Sequence, residues 1–229
     1  MPARLIVKIC GLTREEDVQA ALRAGADILG VVVGAPESPR CVDLARARRL
    51  RAAAGGTPLA LLFRDRPLAE ALAAAQTVGP AFLHLCGREG PEYRAALRAG
   101  VPGLRLLQTV GVPVEDSASA AWLQILDETL ADPAVEHPVL DASTQGRAGG
   151  TGRALPFASL AALLGNKAHC CLLAGGLSPA NVTEAVRRFR PAGVDASSGI
   201  ETAPGLKDAK KMRRFVESAR GVELGAPTR

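Results

Sequence analysis

Two hydrophobic periodicities alternate along the chain, and the pair of patterns recurs about eight times. Short apolar runs predict buried β-strands, and the alanine-rich stretches between them, with apolar positions three or four residues apart, predict amphipathic helices. The predicted strands are residues 5–10, 28–33, 59–63, 82–85, 104–108, 138–141, 170–174 and 194–197. The predicted helices are residues 15–24, 44–54, 68–77, 92–99, 119–130, 156–164, 179–189 and 208–219.

Eight strand–helix units in about 225 residues predict an α/β fold, namely the (β/α)8 or TIM barrel. A doubly wound open sheet needs only about five or six such units, and its nucleotide-binding form carries Gly-x-Gly-x-x-Gly after an early strand. The nearest segment here, Gly149-Gly150-Thr151-Gly152, follows the sixth predicted strand and lacks that spacing. We therefore expect one barrel domain over residues 1–229, with residues 221–229 as a frayed tail.

Composition narrows the class of protein further. Hydrophobic residues make up 48% of the chain and charged residues 22%, so a core can form without disulfides or metals. The five cysteines lack framework spacing and no signal peptide precedes the first strand, which favours a cytoplasmic protein. The net charge of +5 permits an anionic ligand, but 3% aromatic residues and scattered arginines argue against nucleic-acid binding. No apolar run is long enough for a membrane helix.

Cys10 ends the first predicted strand, at the edge where α/β barrels place their chemistry. Because side chains alternate along a strand, Lys8 and Cys10 share one face, and a nearby ammonium is expected to lower the pKa of the thiol. Asp195 lies on the last strand, which neighbours the first in a closed barrel. Since buried charges persist mainly as pairs, we expect Asp195 to approach Lys8 inside the barrel.

Three late loops are rich in glycine and hydroxyl groups, a composition that lets backbone N–H groups approach a phosphate. Such loops after the seventh and eighth strands of a barrel are common phosphate sites. The candidate phosphate-binding residues are Gly149, Gly150, Gly175, Gly176, Ser197, Ser198 and Gly199.

Other candidate side chains lie at the same edge. Arg40, in Ser38-Pro39-Arg40, is either a carboxylate-binding fork or a solvated loop residue. Asp141, which ends the sixth strand, is either a general acid whose pKa burial raises or a cap of the following loop. His84 and Cys86 share a face of the fourth strand and are possible supporting groups. The sequence His169-Cys170-Cys171 suggests a metal cluster, but adjacent strand residues point to opposite faces, which favours core packing.

Several of these segments, taken in order, resemble phosphoribosylanthranilate isomerase of tryptophan biosynthesis over nearly the whole chain. The segments are Val7-Lys8-Ile9-Cys10-Gly11-Leu12-Thr13, Ser38-Pro39-Arg40, Leu140-Asp141, Gly149-Gly150-Thr151-Gly152, residues 174–182 and residues 194–201. The resemblance implies an Amadori rearrangement of N-(5-phosphoribosyl)anthranilate to 1-(o-carboxyphenylamino)-1-deoxyribulose 5-phosphate, without metal or cofactor.

The resemblance also assigns roles to particular residues. Asp141 would protonate the ribose ring oxygen, Cys10 as thiolate would remove the C2 proton, and Arg40 would meet the anthranilate carboxylate. The glycine loops would hold the phosphate. The implied partner is a small phosphorylated substrate, and the implied state is a monomer or a homodimer.

This chain departs from the family pattern around the predicted pocket. His84 and Cys86 stand where the family commonly has a glutamine and then a histidine, and the segment Phe63-Arg64-Asp65 is more polar than usual. Two alternatives remain: a non-catalytic phosphosugar-binding barrel or assembly partner, and an isomerase of histidine biosynthesis. Retention of both Cys10 and Asp141 argues against the first, and a thiol in place of an aspartate argues against the second.

Overall fold

Eight parallel strands close into a barrel in the computed structural model, which describes residues 4–113, 120–144, 147–148 and 155–222. We number the barrel strands β1 Ile6–Ile9, β2 Ile28–Gly34, β3 Leu59–Phe63, β4 Phe82–Leu85, β5 Arg105–Pro113, β6 Val135–Thr144, β7 Leu172–Leu173 and β8 Gly193–Ala196. Each strand pairs with the next, and β8 pairs with β1 in parallel register from Ile6–Gly193 to Ile9–Ala196. The TIM-barrel prediction is confirmed.

Eight α-helices in the described residues surround the barrel. They are α1 Glu15–Ala24, α2 Leu44–Ala53, α3 Leu68–Val78, α4 Pro91–Gly100, α5 Ala120–Ala131, α6 Phe157–Leu164, α7 Val182–Phe189 and α8 Ala209–Arg220. The larger cluster of buried apolar side chains joins these helices to the outer faces of the strands. None of the described helices is long and apolar enough to cross a membrane.

The inside of the barrel is filled by a second, smaller apolar cluster. Its buried members all come from the inward faces of strands or from strand ends, and they are Ile28, Ala60, Phe82, Leu107, Val139, Leu172 and Ala174. Lys8 and His84 are buried in the same interior. The inside of the barrel is therefore a packed core that contains a few polar side chains. Because it is filled, a substrate cavity can form only at an end of the barrel and not within it.

Several predicted boundaries differ from the structure. Strand β7 covers only Leu172–Leu173, because residues Gly165–Cys170 form a 3-10 helix. Strands β5 and β6 extend beyond their predictions, and they pair from Leu106–Val135 to Pro113–Ser143. The predicted tail begins too early: the Gly221 N–H bonds to the Glu217 carbonyl and Val222 packs in the core. Residues 223–229 lie outside the described part of the chain.

Candidate active site

A cavity of about 470 Å³ opens at the C-terminal ends of the barrel strands. The loops that follow β2, β3, β7 and β8 form its rim, and strand residues form its floor. The titratable side chains that line it are Cys10, Glu37, Arg40, Arg64, His84, Cys86, Asp141 and Asp195. The structure thus brings together residues that are up to 185 positions apart, as the sequence analysis predicted for a barrel mouth.

Cys10 lies buried at the end of β1, where its N–H bonds to the Ala196 carbonyl at 2.9 Å. Gly30 on the neighbouring strand leaves room for the thiol, since a Cβ at that position would lie 2.7 Å from Cys10 Sγ. Burial raises the pKa of Cys10, although the charges of Lys8 and Lys207 act in the opposite direction. Lys8 lowers the pKa of the thiol, as expected from the sequence. The pKa is nevertheless raised overall, because the effect of burial is larger than that of the Lys8 charge.

Lys8 and Asp195 form a buried ion pair inside the barrel, as predicted. Their Nζ and Oδ2 atoms are 2.5 Å apart, and the two side chains are 0% and 7% exposed. The pairing follows from strand register, since the two residues lie side by side on β1 and β8. Burial would lower the pKa of Lys8, but the Asp195 charge outweighs it and raises the pKa above its ordinary value. Asp195 Oδ1 is buried and has no hydrogen-bond partner among the described residues.

Asp141 lines the cavity from β6, two strands away from β8 around the barrel. Burial and, to a lesser degree, the charge of Asp195 raise the pKa of Asp141 to about 7. The Ala142 N–H acts in the opposite direction. The loop after β7 approaches closely at Gly175, where a Cβ would lie 2.9 Å from Asp141 Oδ1. Asp141 is therefore a carboxyl group that can hold a proton near neutral pH.

Arg40 is held by a carboxylate that the sequence analysis did not find. Its Nε and Nη2 atoms donate to the two carboxylate oxygens of Glu201 at 2.8 and 2.7 Å, and Lys207 Nζ donates to Glu201 Oε1 at 2.6 Å. The hydrogen bonds to Glu201 raise the pKa of Arg40. Burial would raise the pKa of Glu201, but its hydrogen bonds to Arg40 and Lys207 outweigh that effect and lower it. No periodicity links these positions, so only the spatial approach of the β2 and β8 loops could show the network.

The predicted phosphate-binding loops are described only in part. Gly175 and Gly176 have φ values of 81° and 67°, a left-handed conformation that favours glycine. Residues Ser198–Ile200 form a 3-10 turn, and Gly199 packs so closely on the Leu177 carbonyl that a side chain would not fit. Lys207 Nζ lies 3.4 Å from Ser197 Oγ and adds a cation beside this loop. Gly149 and Gly150 lie outside the described residues.

The remaining candidates divide between the cavity and the rest of the barrel. His84 and Cys86 both line the cavity. Cys171 is buried, Cys170 is exposed and the His169 ring bonds to the Arg190 carbonyl at 2.6 Å. All five cysteines are free, and no group of residues with metal-ligand geometry occurs in the described ranges.

We expect Glu201→Gln to lower the free energy of unfolding at neutral pH by about 1 to 3 kcal/mol, because Arg40 and Lys207 lose a buried charged acceptor. Since the folded-state pKa of Glu201 is below its ordinary 4.5, this stabilisation is present above that pH and is lost as the pH falls through the folded value. Denaturant titration at neutral and acidic pH measures both effects.

Glu37→Gln is a suitable control, since Glu37 is exposed and pairs with Arg64 at 3.4 Å. We expect less than about 0.5 kcal/mol from it, because exposed pairs contribute little. An equal effect of the two substitutions would contradict a structural role for Glu201.

The fold and the polar cavity at the C-terminal ends of its strands are those of a (β/α)8-barrel enzyme. A family profile described as N-(5'phosphoribosyl)anthranilate (PRA) isomerase matches residues 7–218 of this chain. The N-(5'-phosphoribosyl)anthranilate isomerase of Bordetella pertussis is 39% identical over 232 residues, which cover 96% of this chain and 98% of that protein. This chain belongs to the N-(5'-phosphoribosyl)anthranilate isomerase family.

Solved structures agree with this assignment. The phosphoribosyl anthranilate isomerase of Thermotoga maritima superposes with a TM-score of 0.81 at 29% identity, covering 95% of this chain and 100% of that chain. A phosphoribosyl anthranilate isomerase in complex with reduced 1-(o-carboxyphenylamino)-1-deoxyribulose 5-phosphate superposes with a TM-score of 0.78 at 26% identity, with the same coverage.

Proposed function

We propose that this protein catalyses the Amadori rearrangement of N-(5'-phosphoribosyl)anthranilate in tryptophan biosynthesis, with Asp141 as the general acid and Cys10 as the general base. The observation that carries the proposal is the presence of a carboxyl with a pKa of about 7 and a thiol in one cavity. An aldose-to-ketose rearrangement needs one group that donates a proton and one that removes a proton. Membership of the isomerase family supports the same reaction.

In the first step, Asp141 donates its proton to the ribose ring oxygen, and the C1–O bond breaks to leave a Schiff base. The Cys10 thiolate then removes the proton from C2, and the electron pair of that bond forms the enolamine. Tautomerisation of the enolamine gives the ketone product. Lys8 and Lys207 favour the thiolate against the opposing effect of burial.

The remaining polar groups of the cavity suit the rest of the substrate. Asp195 lines the cavity, and its buried Oδ1 has no hydrogen-bond partner among the described residues, so we assign a ribose hydroxyl to this carboxylate. We assign the phosphate to Gly149, Gly150, Gly175, Gly176 and residues 197–199, with Lys207 nearby. We assign the aryl carboxylate to Arg40, through N–H groups that Glu201 does not engage.

The direct test is to follow the loss of N-(5'-phosphoribosyl)anthranilate with purified protein. We expect turnover without added metal or cofactor, and at least about 100-fold lower kcat/KM for the corresponding aminoaldose of histidine biosynthesis. Absence of turnover would favour a phosphosugar-binding barrel without activity. Preference for the histidine-pathway compound would favour the other isomerase.

The setting of the reaction is part of the same proposal. Five free cysteines fit a reducing compartment, so we propose that the enzyme acts in the cytoplasm. We also propose that it is a monomer or a homodimer. Its partner is the small phosphorylated substrate, and we propose no role in nucleic-acid binding.

A further inference from the structure

A chain of hydrogen bonds, from Lys8 through His84 to Thr109, crosses the barrel interior at the floor of the cavity. Lys8 Nζ and His84 Nδ1 are 3.3 Å apart, and His84 Nε2 lies 2.9 Å from Thr109 Oγ1. His84 is only 3% exposed and belongs to β4, across the barrel from Lys8 on β1.

The chemistry of the groups determines which atom donates and which accepts in each of these hydrogen bonds. An ammonium can only donate, so His84 Nδ1 accepts, and Nε2 carries the ring proton and donates to the Thr109 hydroxyl. The Thr109 hydroxyl in turn donates to Cys86 Sγ at 3.5 Å. Burial and the charge of Lys8 hold the pKa of His84 well below its usual value, so the ring is neutral and can accept.

This arrangement determines how Lys8 meets Cys10. The ammonium has three N–H groups, of which one bonds to Asp195 Oδ2 and one to His84 Nδ1. Lys8 and Cys10 lie two residues apart on the inward face of β1, and the charge of Lys8 favours the Cys10 thiolate. Two acceptors, Asp195 on β8 and His84 on β4, therefore fix the position of Nζ on the face of β1 that also carries Cys10.

We propose that His84, with Thr109 behind it, is a positioning residue that fixes the place of the Lys8 ammonium relative to the Cys10 thiol. The consequence for catalysis rests on the proposed role of Cys10 as base, but the placement itself does not. Loss of the His84 acceptor would leave Nζ held by Asp195 alone, so that it is no longer fixed relative to Cys10 and supports the Cys10 thiolate less.

Other titratable groups are coupled to Cys10 and must stay constant in a test. They are Asp195 on β8, Lys207 and Arg40 on the loops above, and Cys86 on the far side of the cavity. A substitution at position 84 leaves all of them in place. A change in Cys10 titration therefore reports the placement of Lys8.

The experiment measures the alkylation rate of Cys10 by iodoacetamide against pH, resolved from the other cysteines by peptide mass spectrometry. Only the thiolate reacts, so the rate at a fixed pH below the thiol pKa reports the thiolate fraction. In His84→Leu we expect this rate to fall by about tenfold, equivalent to a rise of about one unit in the thiol pKa. In His84→Gln, which keeps an acceptor and a donor, we expect a rate within about threefold of the original.

Leu107→Val is the matched control, because Leu107 is fully buried and pairs in register with His84 on the neighbouring strand. An unchanged rate in folded His84→Leu, or an equal fall in Leu107→Val, would overturn the proposal. If His84→Leu does not fold, Thr109→Val decides: a fall of about threefold supports the proposal and no change overturns it.

Activity separates this inference from the proposed function. We expect kcat of His84→Leu to fall in parallel with the alkylation rate and to recover in His84→Gln. A slower alkylation with unchanged kcat would leave the placement intact and contradict the role of Cys10 as base.

Discussion

Replacement of Asp141 by asparagine should lower kcat by at least about 100-fold, the lower range for loss of a general acid. Asparagine keeps the size of the side chain but has no acidic proton to give to the ribose ring oxygen in the proposed mechanism. The fold should persist, because the partly buried carboxyl is replaced by a neutral group, and its raised pKa shows that its surroundings disfavour the charge. Steady-state kinetics and thermal unfolding of the same preparations measure both effects.

The pH dependence of kcat/KM gives a sharper form of this prediction. Below about pH 7, Asp141 is protonated. In this range kcat/KM should rise about tenfold per pH unit, because the fraction of Cys10 present as thiolate rises by that factor. Above about pH 7, loss of the Asp141 proton should cancel the gain in thiolate, because the pKa of Cys10 is raised above its ordinary 9.0. The profile should therefore level off near pH 7, and the residual activity of Asp141→Asn should continue to rise.

A control on the same strand tests whether the carboxyl itself is responsible. Glu136 lies at the other end of β6, where it pairs with Arg105 at 3.3 Å. Glu136→Gln makes the same chemical change and should leave kcat within about twofold, since surface substitutions have small effects. Turnover of Asp141→Asn close to that of Glu136→Gln would remove Asp141 from the mechanism.

Replacement of Cys10 by alanine should also lower kcat by at least about 100-fold, because no other group in the proposal removes the C2 proton. Cys10→Ser should be similarly impaired, since a serine hydroxyl ionises far less readily than a thiol. Substrate binding should change less than kcat, as the phosphate and carboxylate contacts remain. Steady-state kinetics that separate kcat from KM measure this difference.

Cys171→Ala provides the matched control for loss of a buried thiol. Cys171 is fully buried just before β7 and its pKa is raised to about 12, but it does not line the cavity. Its removal should lower stability by about 1 kcal/mol and leave kcat unchanged. Comparable activity of Cys10→Ala and Cys171→Ala would show that Cys10 acts only in packing.

The parts of the site that could be predicted are those that depend on strand order and alternation. Cys10 and Asp141 were placed at the barrel mouth because each ends a strand, and parallel strands share one C-terminal edge. The contact of Lys8 with Asp195 followed from the same two rules, because side chains at equivalent levels of adjacent strands lie side by side.

The parts that could not be predicted depend on distances across loops or across the barrel. The hydrogen bonds of Arg40 to Glu201 join loops after β2 and β8, and loop paths do not follow from periodicity. His84 could be assigned to the inner face of β4, but its contact with Lys8 depends on the barrel width and on the neutral ring.

The amino-acid sequence by itself determined the barrel, the edge that carries the chemistry and the residues that reach it, because these follow from local periodicity and from motif order. Only the tertiary structure decided the protonation of those residues. Burial raises the pKa values of both Cys10 and Asp141, so the proposed acid is suited to neutral pH while the proposed base needs the support of Lys8. The physical reason is that solvation and charge act through space, and the closed barrel alone sets those distances.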